Sequence, residues 1–237
     1  MRLDKYLVDE GYYESRNRAL DAIKAGSVRV DGEVVKPSYK IGINSMIDIA
    51  DEKFYVSRAA RKIESFLADH PIDMRQKRAL DIGSSTGGFA QILLEEGVIS
   101  LSCVDVGRDQ LHHSIRDDAR VSVYEGIDIR EFDSDEKFEV VSCDVSFISI
   151  LQIIDDIDRL SCGDIIILYK PQFEVGRDIR RDSRGVVLDL DAILSRRVEF
   201  ELRALSMGWT IIHHSPSSVA GREGNVEYIY HFRRGHS

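Results

Sequence analysis

The stretch LDIGSSTGGF, residues 80–89, decides the fold. Leu80, Asp81 and Ile82 continue a strand-like run from Ala79, glycine breaks it, and beyond the Gly87-Gly88 pair FAQILLEEG reads as a helix. A strand, a glycine turn and a helix start aim backbone N–H groups at whatever lies above the strand end, which favours an anionic group. No GK[ST] follows, so this is not a P-loop, and GSSTGG lacks the G-x-G-x-x-G spacing of dinucleotide sites. A cofactor site and an ordinary tight turn both remain open on this motif alone.

Working outward, SLSCVDV, VSVYEG, EVVSCDV and DIIILYK read as further strands. DQLHHSIRDD and SILQIIDDIDRL read as helices between them, the alternation of βαβ units and a mainly parallel α/β sheet. A long helix is predicted over LDLDAILSRRVEFELRALSMG, with Leu190, Ile193, Leu194, Val198, Leu202 and Leu205 at amphipathic spacing, before two closing strands, WTIIHHS and VEYIYHF. The carboxyl ends of parallel strands converge on one crevice. That gathers Asp105 of CVDV, Asp128 of EGIDIR, Asp144 of SCDV and Lys170, which ends the apolar run IIILY ahead of Pro171. An acid about 20 residues after a glycine turn suits ribose hydroxyls, so Asp105 points to a nucleoside-bearing cofactor. Lys170 there acts as a base, or stays charged and pairs with Asp144.

The 237 residues suit one ordinary domain and a small one. The net charge of −9 argues against a broad electrostatic grip on nucleic acid. It is uneven: residues 1–65 carry 12 Lys+Arg and 11 Asp+Glu, so the remainder carries the acidic excess. No signal peptide or membrane-length apolar run is legible, and the expectation is a cytoplasmic protein without membrane association. Cys103, Cys143 and Cys162 read as reduced core thiols, since no metal-ligand spacing is present. His112-His113 and His213-His214 read as structural or surface pairs.

Residues 1–50 form a self-contained α+β unit: a short amphipathic helix through Leu3, Leu7 and Val8, then a second helix, RNRALDAIKA, capped by Ser15 and stopped at Gly26. A hairpin follows about Asp31-Gly32. The series RLDKYL, SRNRA, IKAGSVRVDG, KPSYKI and MIDI resembles the S4 RNA-binding domain. By that resemblance Arg2, Lys5, Arg16, Arg18 and Lys24 are candidate phosphate contacts. Residues 51–62 read as a linker, and residues 63–237 as the catalytic domain.

Across the chain, YVSRAARKIE, LDIGSSTGGF, VDVGRDQL, DVSFIS, KPQFEVGRD, GVV and GREGNVEY resemble the TlyA family of RNA methyltransferases, also called hemolysin A. The resemblance implies an S4 domain joined to an FtsJ-like, Rossmann-like class I S-adenosylmethionine-dependent methyltransferase sheet. It implies a Lys62, Asp144, Lys170, Glu227 tetrad for 2'-O-ribose methylation of a cytidine in ribosomal RNA. The cofactor is expected on Asp81, Gly83, Ser84, Ser85, Thr86, Gly87, Gly88 and Phe89, with Asp105 and Val106 at its ribose, Asp128 and Ile129 at its adenine, and Asp144 beside it. A shorter form of the family is associated with the large-subunit site alone, and this chain resembles it. Where the family usually shows SRGGxKL, this chain has SRAARKI.

A 2'-hydroxyl needs its proton removed before in-line attack. Lys170 is the expected base or oxygen-positioning residue, its neutral state favoured by the nearby charge of Lys62 and opposed by Asp144 and Glu227. Arg177, Arg180, Arg181 and Arg184, beside the crevice, are expected to form a second RNA clamp. The partners expected are ribosomal RNA and ribosomal subunits; no metal is expected. Two competing readings are an inactive S4-containing ribosome-binding protein, which loss of a tetrad residue would favour, and a membrane-active hemolysin.

Overall fold

The computed structural model describes residues 1–10, 12–13, 15–42, 45–50, 53–176, 178–221 and 223–235. The chain divides into two compact units, Met1–Phe54 and Tyr55–Ser237.

In the first unit, α1 (Leu3–Asp9) and α2 (Arg16–Ala25) precede β1 (Val28–Val30), β2 (Glu33–Val34) and β3 (Ile47–Ile49). Ser15 caps α2 by accepting from the Arg18 amide, and Gly26 ends it at φ 83°. Asp31 and Gly32 both take positive φ, as a tight hairpin between β1 and β2 demands. β3 pairs with the other edge of β1, giving the antiparallel order β2-β1-β3. Leu3, Leu7, Ala19, Ala22, Ile23, Val28 and Val30 form the core.

The second unit opens with α3 (Arg58–Asp69), so residues 58–62 are helical rather than linker. The boundary falls earlier than expected because Ala60 and Ile63 are fully buried and make this stretch part of the core. Then come β4 (Arg78–Ile82), α4 (Gly88–Glu95), β5 (Ser100–Asp105), α5 (His113–Arg116), β6 (Val121–Glu125) and β7 (Phe138–Cys143). After a 3₁₀ turn at Ile150–Gln152 follow α6 (Ile154–Leu160), β8 (Ser161–Tyr169), α7 (Pro171–Glu174), α8 (Leu190–Ser206), β9 (Trp209–Pro216) and β10 (Tyr228–Arg234).

The seven strands lie in the order β6-β5-β4-β7-β8-β10-β9. The first five are parallel, and β10 runs antiparallel between β8 and β9. This is a doubly wound, Rossmann-like sheet, whose order reverses at β4, where the crevice opens between β5 and β7. β8 is buried on both faces: Ile166 and Leu168 join a core under α3 and α4, while Ile165, Ile167 and Tyr169 join the opposite core under α6 and α8. Cys103 and Cys143 lie buried in these cores, where desolvation pushes both thiols up.

Two sequence expectations change. The helix predicted over residues 109–118 shrinks to the single turn α5, because Asp109 sits at φ 56° and the helix begins only at its cap, His112. The apolar spacing of α8 does not mark its core face. Phe200 and Ala204 are buried, whereas Leu190, Leu194, Val198, Leu202 and Leu205 are exposed. The sheet side of α8 is set by aromatic packing of Phe200 with Tyr169, Tyr230 and Phe232. Among the described residues no helix is long and apolar enough to cross a membrane.

Candidate active site

The carboxyl ends of β4, β5, β7 and β8 meet in two adjoining cavities of the second unit, about 450 and 260 Å³, that share Gly83, Ser85, Asp144 and Ser146. The larger is lined by Asp105, Val106, Asp128 and Ile129, the smaller by Lys62, Asp81, Ser84, Thr86, Gly88, Phe89 and Lys170. Gly87, at φ 92°, caps the start of α4, and a Cβ there would strike Leu111 at 2.9 Å.

Glycine is required where β4 meets β7. Gly83 takes φ 77°, and a Cβ on it would approach the Asp144 carbonyl oxygen to 2.9 Å. Gly88 lets α4 start against α3, since a Cβ there would lie 2.2 Å from Ser57 Oγ and 2.8 Å from Ala59 Cβ. That close approach fixes the SRAARK segment, and with it Lys62, over the glycine turn.

The tetrad expected from the resemblance resolves into two ion pairs. Lys170 Nζ lies 2.6 Å from Asp144 Oδ1, with both side chains largely buried. Its hydrogen bond goes to Ser146 Oγ at 2.9 Å, so Asp144 Oδ1 faces the charge without a directional bond of its own. Lys62 Nζ donates to Glu227 Oε2 at 2.5 Å, and the other carboxylate oxygen accepts from Gln172 Nε2 at 2.9 Å. Sequence reasoning misses Gln172, because nothing marks a glutamine as a partner for a residue 55 positions later. It misses Asn225 too, which accepts from the Val187 amide and so ties the GREGN turn to GVV.

Asp105 accepts from the backbone N–H groups of Ser85 (2.8 Å) and Gly107 (2.6 Å), which fixes its carboxylate at the cavity wall. Asp128 pairs with Arg130 at 2.6 Å, and that guanidinium holds its carboxyl down at about 2. Asp81 is fully buried; one oxygen accepts from Ser142 Oγ at 2.7 Å and the other has no partner. Burial pushes its carboxyl up to about 7, with the negative charge of Asp144 adding to the effect and Ser142 opposing it.

A raised carboxyl keeps its proton in the fold while the unfolded chain has lost it, so its contribution falls as pH climbs through that interval. The stability of the native protein relative to Asp81→Asn is therefore expected to decline by up to about 1.4 kcal/mol per pH unit between about pH 4 and 7, then level off. Denaturant unfolding of both proteins across that range checks this; a constant difference would refute it.

The candidate RNA contacts differ in availability. Arg2 and Arg16 are tied to the buried Asp4 at 2.9 and 2.6 Å, and hydrogen bonding from Arg2 is the main force holding that carboxyl down at about 2. Arg18 is half-buried over the Phe54 ring, whereas Lys5 and Lys24 are exposed. Arg181 turns inward and donates to the carbonyls of Gln172 and Gly176; Arg184 pairs with Asp182. Arg180 is exposed, and Arg177 lies outside the described residues.

Residues 55–234 match the FtsJ-like methyltransferase model, and residues 1–47 match the S4 domain. A Campylobacter jejuni protein named 23S rRNA (cytidine-2'-O)-methyltransferase TlyA is 41% identical over 98% of this chain and 99% of its own. The chain belongs to the TlyA family of FtsJ-like methyltransferases. Another TlyA relative, a 16S/23S rRNA (cytidine-2'-O)-methyltransferase of Mycobacterium tuberculosis, is 35% identical over 98% of this chain and 89% of its own. A solved structure from Streptococcus thermophilus that carries a hemolysin name superposes with a TM-score of 0.74 at 30% identity, covering all of this chain and 89% of that one.

As a TlyA-family protein the chain uses S-adenosylmethionine, and the site's chemistry fits that cofactor. Gly83, where any Cβ would close the turn, keeps the crevice open, Asp105 offers a fixed acceptor for hydroxyls, and Asp81 carries a buried orphan oxygen beside the turn.

Proposed function

We propose that this protein methylates the 2'-hydroxyl of a cytidine in ribosomal RNA of the large subunit, acting in the cytoplasm on ribosomal subunits or their precursors. The observation that carries the reading is Lys170, delivered by β8 to the cavity wall 2.6 Å from Asp144 and 2.9 Å from Ser146. The names of the Campylobacter and Mycobacterium relatives supply the substrate class, and the higher identity, 41% against 35%, favours the Campylobacter protein as the guide to the subunit.

The glycine turn from Gly83 to Phe89, Asp105 with Val106, and Asp128 with Ile129 would hold the cofactor. Once bound, S-adenosylmethionine supplies an electrophilic methyl group on a sulfonium. Lys170, once its ammonium has given a proton to solvent, orients the 2'-oxygen and accepts the hydroxyl proton as the neutral amine. Asp144 fixes that amino group, and Glu227 fixes Lys62 at the wall of the same cavity. Phe147, 91% exposed at φ 67° on the loop after Asp144, stands 5.0 Å from the Phe173 ring and offers an aromatic face to a base.

The presence of all four tetrad residues argues against an inactive binding protein. Among the described residues no helix is long and apolar enough to cross a membrane, so the hemolysin reading rests on the names of relatives alone.

The test is transfer of labelled methyl from S-adenosylmethionine to isolated subunits lacking the modification, with the methylated nucleotide mapped. Label on a large-subunit cytidine ribose is expected; label on a base, or on neither subunit despite cofactor binding, would overturn the reading. Lys5 and Lys24 should contact phosphates. The double alanine variant is expected to weaken RNA binding and flatten the log–log salt dependence by about 0.7–0.9 for each phosphate no longer neutralised. Filter binding between low and moderate salt measures that slope, and an unchanged slope removes both lysines from the interface.

A further inference from the structure

We propose that Gln172 is a positioning residue for the catalytic site: by gripping one oxygen of Glu227 it holds the carboxylate at the rotation that brings the other oxygen to Lys62. The inference rests on the methyltransferase reading above. Only an amide nitrogen can face a carboxylate, so the 2.9 Å hydrogen bond from Gln172 to Glu227 Oε1 fixes the orientation of both groups. Oε2 is thereby left for Lys62 at 2.5 Å. Gly221 closes the third side, since a Cβ on it would lie 2.6 Å from the same Oε1. The Glu227 carboxylate has no room to rotate while Gln172 holds it.

Two features separate this role from packing. First, Gln172 Oε1 is buried without a partner, a cost that an apolar side chain of similar shape would avoid. Second, its backbone is itself restrained: Pro171 precedes it, and Arg181 donates to its carbonyl at 2.9 Å and to that of Gly176 at 3.0 Å. Lys170 and Gln172 lie two residues apart, so one short segment registers both ion pairs. A glutamate in place of Gln172 would set two carboxylates against each other, a pair stable only while they share a proton.

The test uses the full-length protein with Gln172→Met and Gln172→Glu. Gln172→Met is expected to lower kcat about ten- to hundredfold at unchanged KM for S-adenosylmethionine, the loss of one hydrogen bond to a charged group. Its crystal structure should show Glu227 rotated and its carboxylate withdrawn from Lys62. For Gln172→Glu, the deficit in kcat against the native protein should widen as pH rises and the shared proton is lost. A merely structural defect would give a deficit that does not change with pH. Native kcat in Gln172→Met, Glu227 unmoved in its structure, or a pH-independent deficit in Gln172→Glu would each overturn the proposal. If the native protein transfers no methyl to ribosomal RNA, the functional reading falls, and the position of Glu227 in the variant still decides the role of Gln172.

Discussion

Lys170→Met is expected to reduce kcat for ribose methylation by about 10²–10⁴-fold, the usual range for loss of a positioned proton acceptor, with the cofactor dissociation constant unchanged. Methionine keeps the length and apolar packing of the lysine stem while removing the ammonium that faces Asp144 at 2.6 Å. Because that change strands a largely buried carboxylate, Lys170→Met/Asp144→Asn is the companion variant. Single-turnover methyl transfer and calorimetric titration of S-adenosylmethionine measure the two quantities. The double variant should recover stability without recovering rate. Turnover by Lys170→Met within a few-fold of native would remove Lys170 from the chemistry.

The second large effect is expected from Gly83→Val. Its φ of 77° is left-handed, and the added Cβ would meet the Asp144 carbonyl oxygen at 2.9 Å and the Asp144 carbonyl carbon at 3.1 Å. Backbone cannot yield as a flexible side chain does, so strain and overpacking add to a loss of about 2–5 kcal/mol. For a chain of this size that lowers Tm by about 5–15 °C. Both cavities share Gly83, so cofactor binding should fall below detection in the same variant, even well under its Tm. Retained affinity for S-adenosylmethionine would show that the crevice lies elsewhere.

Much of this arrangement is legible in the amino-acid sequence. LDIGSSTGGF announces the strand–turn–helix, the apolar run before Lys170 announces a central strand, and Asp31-Gly32 announces the hairpin, because each depends on local backbone preferences. The tetrad comes from resemblance, and the folded chain adds its division into Lys170–Asp144 and Lys62–Glu227 pairs. The hidden features depend on partners distant in sequence. The apolar spacing of α8 could not reveal which side meets the sheet, since Phe200 and Ala204, not the leucine stripe, pack there. The grip of Gln172 on Glu227, 55 residues away, is invisible for the same reason, and the inward turn of Arg181 is invisible because a guanidinium in a polar loop reads identically whether it faces a carbonyl or water.

The antiparallel strand β10 has a consequence for synthesis. Glu227 immediately precedes it, and among the described residues β9 hydrogen-bonds to no other strand than β10. As the chain emerges from the ribosome, β8 waits with an open edge and β9 with no neighbour until β10 threads between them. The sheet is thus sealed and the Glu227–Lys62 ion pair completed in one late event. A nascent chain short of that event has an unpaired edge prone to aggregation and leaves Lys62 without its carboxylate partner.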